Sequence, residues 1–203
     1  MKIIAVGRNY ADHIEELKNE RPTEPVIFSK PETALLKGNE DFYLPDFSQD
    51  VHHEVELVVR ISKIGKNIDE KFAHKYYQEV ALGIDFTARD VQSKLKAKGL
   101  PWELAKAFDG SAPVSSFVPK EQFESLNQLE FDLSVNGEIR QSGNTSMMLY
   151  SIDYLIAFIS QYFTLKVGDL IFTGTPKGVA AVQAGDELVA RLAGQEMLRF
   201  FVK

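Results

Sequence analysis

Apolar and polar positions along this chain alternate with period two more often than with helical period, so the pattern is mainly that of strands. Residues 2–6 read as a short strand ending at Gly7-Arg8-Asn9-Tyr10, with a helical stretch after it. Residues 25–31 form an apolar strand that closes on Lys30, next to Pro31. In residues 52–59 the alternation puts Glu54 and Glu56 on one face and His53, Val55, Leu57 and Val59 on the other. Gly65-Lys66-Asn67 breaks the pattern, and residues 70–78 read as a short helix with a polar face. Residues 80–86 are strand-like, and Thr87 is placed to cap a helix running to about Lys98. Gly99-Leu100-Pro101-Trp102 ends that helix.

The second half is more plainly β. Residues 131–135 and 138–141 flank Asn136-Gly137, a strong signal for a two-residue hairpin turn. Residues 141–148 are polar and Ser/Thr-rich, and 151–162 read as an amphipathic helix capped by Ser151 or Asp153. Residues 167–179 read as a turn, a strand and a glycine-bracketed loop. Two last strands follow at 187–192 and 197–202. No internal repeat, low-complexity tract or Pro/Gly linker interrupts the chain. The expectation is one α+β domain over residues 1–203, predominantly β, with a mixed sheet and a few peripheral helices.

Composition narrows the function classes. At 203 residues, 44% apolar and 26% charged, the chain can fill one core. A net charge of −6 without a basic block argues against nucleic-acid binding, which needs clustered Lys and Arg. No apolar run approaches the roughly 20 residues of a membrane span. The opening residues read as a strand, too short for a signal peptide. The absence of cysteine excludes disulfides, thiolate nucleophiles and thiolate zinc sites. A cytoplasmic location fits these features.

Several acids, bases and cations then stand out. Glu54 and Glu56, one face of an otherwise apolar strand, suit either a solvent-facing edge or a bound cation. Joined by Asp85 from the next apolar run, they would make an all-oxygen site for a hard ion, Mg²⁺ or Mn²⁺ rather than Zn²⁺. His13 and Glu16, three apart on a helix, are either an exposed pair or a base whose ring is oriented by a carboxylate. Lys30 can reach a cleft or snorkel to water. Arg89 and Gln92 occupy the first turns of the helix after Asp85, where the guanidinium can grip a substrate carboxylate or pair with Asp85 or Asp90. Lys106, among small and aromatic residues, can donate a proton or stabilise an oxyanion. The 173–179 loop lacks Walker A spacing, although its amides and the Thr175 hydroxyl can cradle a carboxylate.

Gly7-Arg8-Asn9-Tyr10-Ala11-Asp12-His13, His53-Glu54-Val55-Glu56-Leu57, Asp85-Phe86-Thr87-Ala88-Arg89-Asp90, Asn136-Gly137 and Thr173-Gly174-Thr175-Pro176-Lys177-Gly178-Val179 occur in that order. Together they resemble the fumarylacetoacetate hydrolase superfamily, over about residues 3 to 202. The stretch Thr87–Gln92, with Lys98-Gly99-Leu100-Pro101-Trp102 and Ala105-Lys106, is most similar to its acylpyruvase and oxaloacetate decarboxylase branch. The resemblance implies a mixed β-roll, a homodimer, and Mg²⁺ or Mn²⁺ on Glu54, Glu56 and Asp85. It also implies a His13–Glu16 dyad on a lid helix, an active-site Lys106, and Lys30, Arg89, Gln92 and Thr175 lining a pocket for small 2-oxo acids. The implied reaction breaks a C–C bond through an enolate, by acylpyruvate hydrolysis or oxaloacetate decarboxylation. An isomerase or hydratase of 2-hydroxyhepta-2,4-diene-1,7-dioate or related dioates is the same-fold alternative, and a non-catalytic small-molecule binder the different-class one. The segment Asp109-Gly110-Ser111-Ala112-Pro113 departs from the family's usual pattern.

Overall fold

The computed structural model describes residues 1–17 and 20–203. Its backbone is a curled, mostly β structure with short helices at the periphery, as the alternation predicts. The largest sheet runs, in order, Val26–Lys30, Ile3–Gly7, Leu170–Phe172, Val55–Ile61, Tyr77–Ile84, Ala112–Val114, Leu35–Lys37, with Val118–Pro119 beside Tyr77–Ile84. It is mixed: Ile3–Gly7 is parallel to Leu170–Phe172, whereas Val55–Ile61 is antiparallel to both of its neighbours. A four-stranded antiparallel sheet, Glu138–Asn144, Glu130–Val135, Glu187–Leu192 and Gln195–Phe201, packs against it. A third, small sheet pairs Ala180–Ala181, Val51–His53 and Thr87–Ala88.

Strand Val55–Ile61 is buried on both faces, which explains its nearly continuous apolar run. Val55, Leu57, Val59 and Ile61 enter the main core with Leu133, Leu188 and Phe200 of the second sheet. Val58 faces the other way, against Ile3, Ala81 and Phe172. Helices α1 (Ala11–Glu16), α2 (Glu70–Ala73), α3 (Arg89–Ala97), α4 (Glu103–Lys106) and α5 (Ile152–Tyr162) lie outside the sheets. The Ser151 hydroxyl caps α5 by accepting from the Tyr154 amide at 3.2 Å. No helix is long and apolar enough to cross a membrane.

Four local expectations are corrected. The strand expected over 52–59 is broken at Glu54, because Val51–His53 leaves to pair in the third sheet. The helix expected over 70–78 stops at Ala73, since Tyr77 already pairs with Ile61 and opens the strand. Thr87 does not cap α3: it sits in the two-residue strand, its Oγ1 donating to the Asp85 carbonyl at 3.3 Å, and Ala88 takes the cap position. The hairpin's second strand, expected over 138–141, continues to Asn144. A bulge between Leu133 and Ser134 shifts the register there, and it turns Gln141 inward while Ile139 stays exposed.

Candidate active site

Antiparallel register brings the acids together. Val55 pairs with Ile84, so the next residues, Glu54 and Asp85, stand opposite each other, and the Asp85 amide donates to the Glu54 carbonyl at 2.8 Å. Glu56 points from the same face two residues on, a diagonal neighbour within side-chain reach. Ligand oxygens of Glu54, Glu56 and Asp85 all lie within 4.8 Å of one another, and all three residues are buried. Among the described residues this is the one group of acids and imidazoles with such spacing.

Buried carboxylates need partners. Arg89 and Lys106 both bind Glu54, the lysine at 2.8 Å, and Lys106 also reaches Asp85 Oδ2 at 2.5 Å. Lys30 approaches Asp85 Oδ1 at 2.6 Å from the opposite side. Burial alone would raise the Glu54 carboxyl, but Lys106 and Arg89 outweigh it and hold the group well below the usual range. For Lys106 burial favours the neutral amine, yet Asp85 and Glu54 win and its pKa rises. Glu56 behaves oppositely: burial, then the charges of Asp85 and Glu54, push it well above the carboxylate range. Its main support is the Gly174 amide, which donates to Oε2 at 2.6 Å.

This donor set fits a divalent cation. It is all oxygen, with no thiolate and no imidazole, which suits a hard ion. Asp85 Oδ1 is buried and, although close to Lys30 Nζ, lies off the direction of any hydrogen bond. Mutual repulsion that penalises ionised Glu56 is the repulsion a cation between the acids would relieve.

Glu54 and Glu56 face a narrow cleft. His13, Glu54, Glu56, Arg89, Gln92 and Lys106 lie on its wall, with Thr175. His13 Nδ1 lies 3.2 Å from Glu16 Oε2, which places the proton on Nδ1 and leaves the Nε2 lone pair as an acceptor. Helix α1 is latched over this cleft: the Gly178 amide donates to Glu16 Oε1 at 2.9 Å, and Lys177 pairs with Asp12 at 3.0 Å. Arg89 donates to Gln92 Oε1 at 2.8 Å, so both side chains form one wall, and the buried Arg89 Nε has no partner.

Two of the predicted substrate contacts have other occupations. Lys30 is absent from the cleft wall. Fully buried, it donates to the Ser111 carbonyl and hydroxyl at 3.0 Å each, and its geometry is that of a support behind Asp85. The Thr175 hydroxyl donates to the Val55 carbonyl and accepts from Gln141 Nε2, both at 2.8 Å.

Sequence reasoning missed Arg8, Lys96, Phe28 and Trp102, which also line the cleft. Lys96 carried a usable signal: with Arg89 and Gln92 it occupies i, i+3 and i+7 of one helix. Gln141 was missed too, because nothing local marks a residue whose partners lie on distant strands.

Residues 2–203 match the family described as Fumarylacetoacetate (FAA) hydrolase C-terminal. The mouse oxaloacetate tautomerase FAHD1, mitochondrial, is 49% identical over 99% of this chain and 91% of its own length. A Dictyostelium discoideum protein named oxaloacetate decarboxylase, mitochondrial, is 47% identical over 95% of this chain and 89% of its own. The crystal structure of fumarylpyruvate hydrolase from Pseudomonas aeruginosa in complex with Mn²⁺ and pyruvate superposes with a TM-score of 0.93. It is 33% identical and covers 100% of this chain and 90% of that one.

Proposed function

The chain belongs to the fumarylacetoacetate hydrolase family, and from that premise we propose a divalent-metal-dependent enzyme that forms an enolate from small 2-oxo acids. Oxaloacetate is the first substrate to consider. The enolate arises by loss of a C3 proton in tautomerisation, or by breaking the C3–C4 bond in decarboxylation and acylpyruvate hydrolysis. The single observation carrying this reading is the Glu54–Glu56–Asp85 oxygen triangle, with two of its members on the wall shared by His13 and Lys106. Mg²⁺ or Mn²⁺ held there would serve as a Lewis acid for a 2-oxo acid's carboxylate and keto oxygens.

The chain's own groups supply the rest. Lys106 brings a fixed positive charge to the place where the keto oxygen gains negative charge, and it can return a proton. Arg89, with an unpaired Nε, is placed to hold the substrate's carboxylate, and Gln92 fixes the guanidinium plane. His13 Nε2 takes a proton, from C3 in tautomerisation or from water in hydrolysis, while Glu16 stabilises the imidazolium. In decarboxylation the C3–C4 electron pair becomes the enolate, CO₂ leaves, and a proton is delivered to C3. Helix α1, latched over the cleft, excludes bulk water from that carbanion.

The test is a steady-state assay with oxaloacetate and acetylpyruvate, with Mg²⁺ or Mn²⁺ and then with EDTA. Both enol absorbance and pyruvate release are followed. The reading expects metal-dependent turnover that EDTA removes. An absorbance change confined to dienoate substrates would favour the isomerase alternative, and no turnover at all would leave a binding protein.

A further inference from the structure

Of the four lysines and arginines on the cleft wall, two are neutralised by the acids and two are not. Arg89 and Lys106 are bound to Glu54. Arg8 and Lys96 line the same cleft, half-buried, and among the described residues neither side chain has a hydrogen bond or an acidic partner within ion-pair distance. The Lys96 ammonium lies 5.2 Å over the ring of Trp102, which also lines the cleft, so its stem is directed inward rather than along the surface. Burial, followed by the nearby charge of Arg8, lowers the Lys96 pKa to about 8.

Arg8 is held in place at a cost. Its φ is 60°, the left-handed region that residues carrying a Cβ normally avoid. The following residue enforces this. Asn9 is fully buried, its Nδ2 donating to the Thr173 carbonyl at 2.7 Å and the Tyr150 carbonyl at 3.1 Å, and its Oδ1 accepting from the Tyr150 amide at 2.9 Å. A solvated surface arginine would need no such bracing. Backbone strain of this kind persists where the surroundings impose it, often at ligand sites.

A cation held on the acid triangle would take a 2-oxo acid's carboxylate and keto oxygens, so any second carboxylate must lie further along the cleft. We propose that Arg8 and Lys96 form a distal carboxylate subsite that selects 2-oxo dicarboxylates over 2-oxo monocarboxylates. This rests on the 2-oxo acid reading above and deepens it, because the subsite also bears on the outcome of the reaction. Loss of CO₂ removes the negative charge from the C4 carboxylate, whereas enolisation at C3 keeps it. Two cations that bind this group stabilise the starting state more than the decarboxylation transition state, so they favour tautomerisation.

The test uses the metal-loaded protein and the variants Lys96→Met, Lys96→Arg and Arg8→Asn. Asparagine tolerates the left-handed backbone, so Arg8→Asn removes the charge without adding strain. Calorimetry measures binding of 3,3-difluoro-oxaloacetate and of pyruvate. Kinetics measure enol interconversion and pyruvate release from oxaloacetate, with acetylpyruvate as the uncharged-tail substrate. Lys96→Met and Arg8→Asn are expected to lower the preference for the dicarboxylate about tenfold, the scale of one charge-assisted hydrogen bond. They should also raise pyruvate release relative to enol interconversion, and Lys96→Arg should keep both values near wild type. Equal losses for both ligand classes, or no change in either ratio, would overturn the subsite. Wild-type protein inactive on every 2-oxo acid with metal present would instead overturn the reading beneath it.

Discussion

Gln141 Oε1 accepts a 3.0 Å hydrogen bond from the Val55 amide, at the point where the chain leaves one sheet for another. Without it, the break at Glu54 would leave that buried amide unpaired. The same oxygen lies 2.9 Å from His53 Nδ1, and burial lowers the His53 pKa, so the ring is a neutral donor there. The amide end of Gln141 holds Thr175 and the Pro176 carbonyl, at 2.8 and 2.9 Å. One side chain thus ties the strand that carries Glu56 to the loop that supports it.

Replacement of Gln141 by Leu would orphan several buried polar groups at once. The expected loss is about 2–4 kcal/mol of stability, from roughly 1–3 kcal/mol per unsatisfied buried group, partly relieved by relaxation. Urea denaturation should show a lower midpoint with an unchanged slope. Mn²⁺ affinity should fall as well, since Glu54 and Glu56 flank the released amide. Unchanged affinity would show that the acids do not depend on this clamp.

Lys106 and Glu56 should separate metal binding from chemistry. Lys106→Met removes a cation that shares Glu54 and Asp85 with any bound ion, so Mn²⁺ affinity should hold or rise while turnover drops about 10²–10⁴-fold. Glu56→Gln removes a ligand oxygen, so affinity and turnover should fall together. Calorimetric titration with Mn²⁺, run beside the oxaloacetate assay, checks both.

His13→Ala should distinguish the reactions proposed for the cleft. Hydrolysis of acetylpyruvate needs an activated water, and decarboxylation of oxaloacetate does not. The variant should therefore lose hydrolysis by about 10²-fold or more, and decarboxylation by much less. Parallel loss of both would count against His13 as the base acting on water.

The pH dependence should expose Lys96. Its pKa of about 8 arises from burial, with Arg8 from the turn after the first strand, Arg89 from its own helix and Lys106 from α4 all opposing its charge; Glu54 favours it weakly. It is therefore cationic below pH 8 and neutral above. The KM for oxaloacetate should rise as pH passes through this value, more than the KM for acetylpyruvate. Lys96→Arg should abolish the step, because arginine keeps its charge. The stability linkage has the opposite sense. Between the folded value and the ordinary lysine value of 10.5 the unfolded chain holds more protons, so this group's contribution to stability grows with pH.

Periodicity and turn chemistry alone were enough for the β-rich class, the Asn136-Gly137 hairpin and the α5 helix, with its cap narrowed to Ser151 or Asp153, since each depends on neighbours in sequence. The residue types and the ordered motifs also named the acids, His13, Glu16 and Lys106 before any coordinates. Local patterns do not contain strand register. Opposition of Glu54 and Asp85 follows from the pairing of Val55 with Ile84, and the inward turn of Gln141 follows from a bulge in a hairpin remote from both. The same limit applies to the cations: whether Lys30 backs Asp85 or reaches substrate, and whether Arg8 and Lys96 meet, depends on which distant surfaces pack together. Spacing along a chain sets what a residue is able to do; only the fold decides which charges it has to answer.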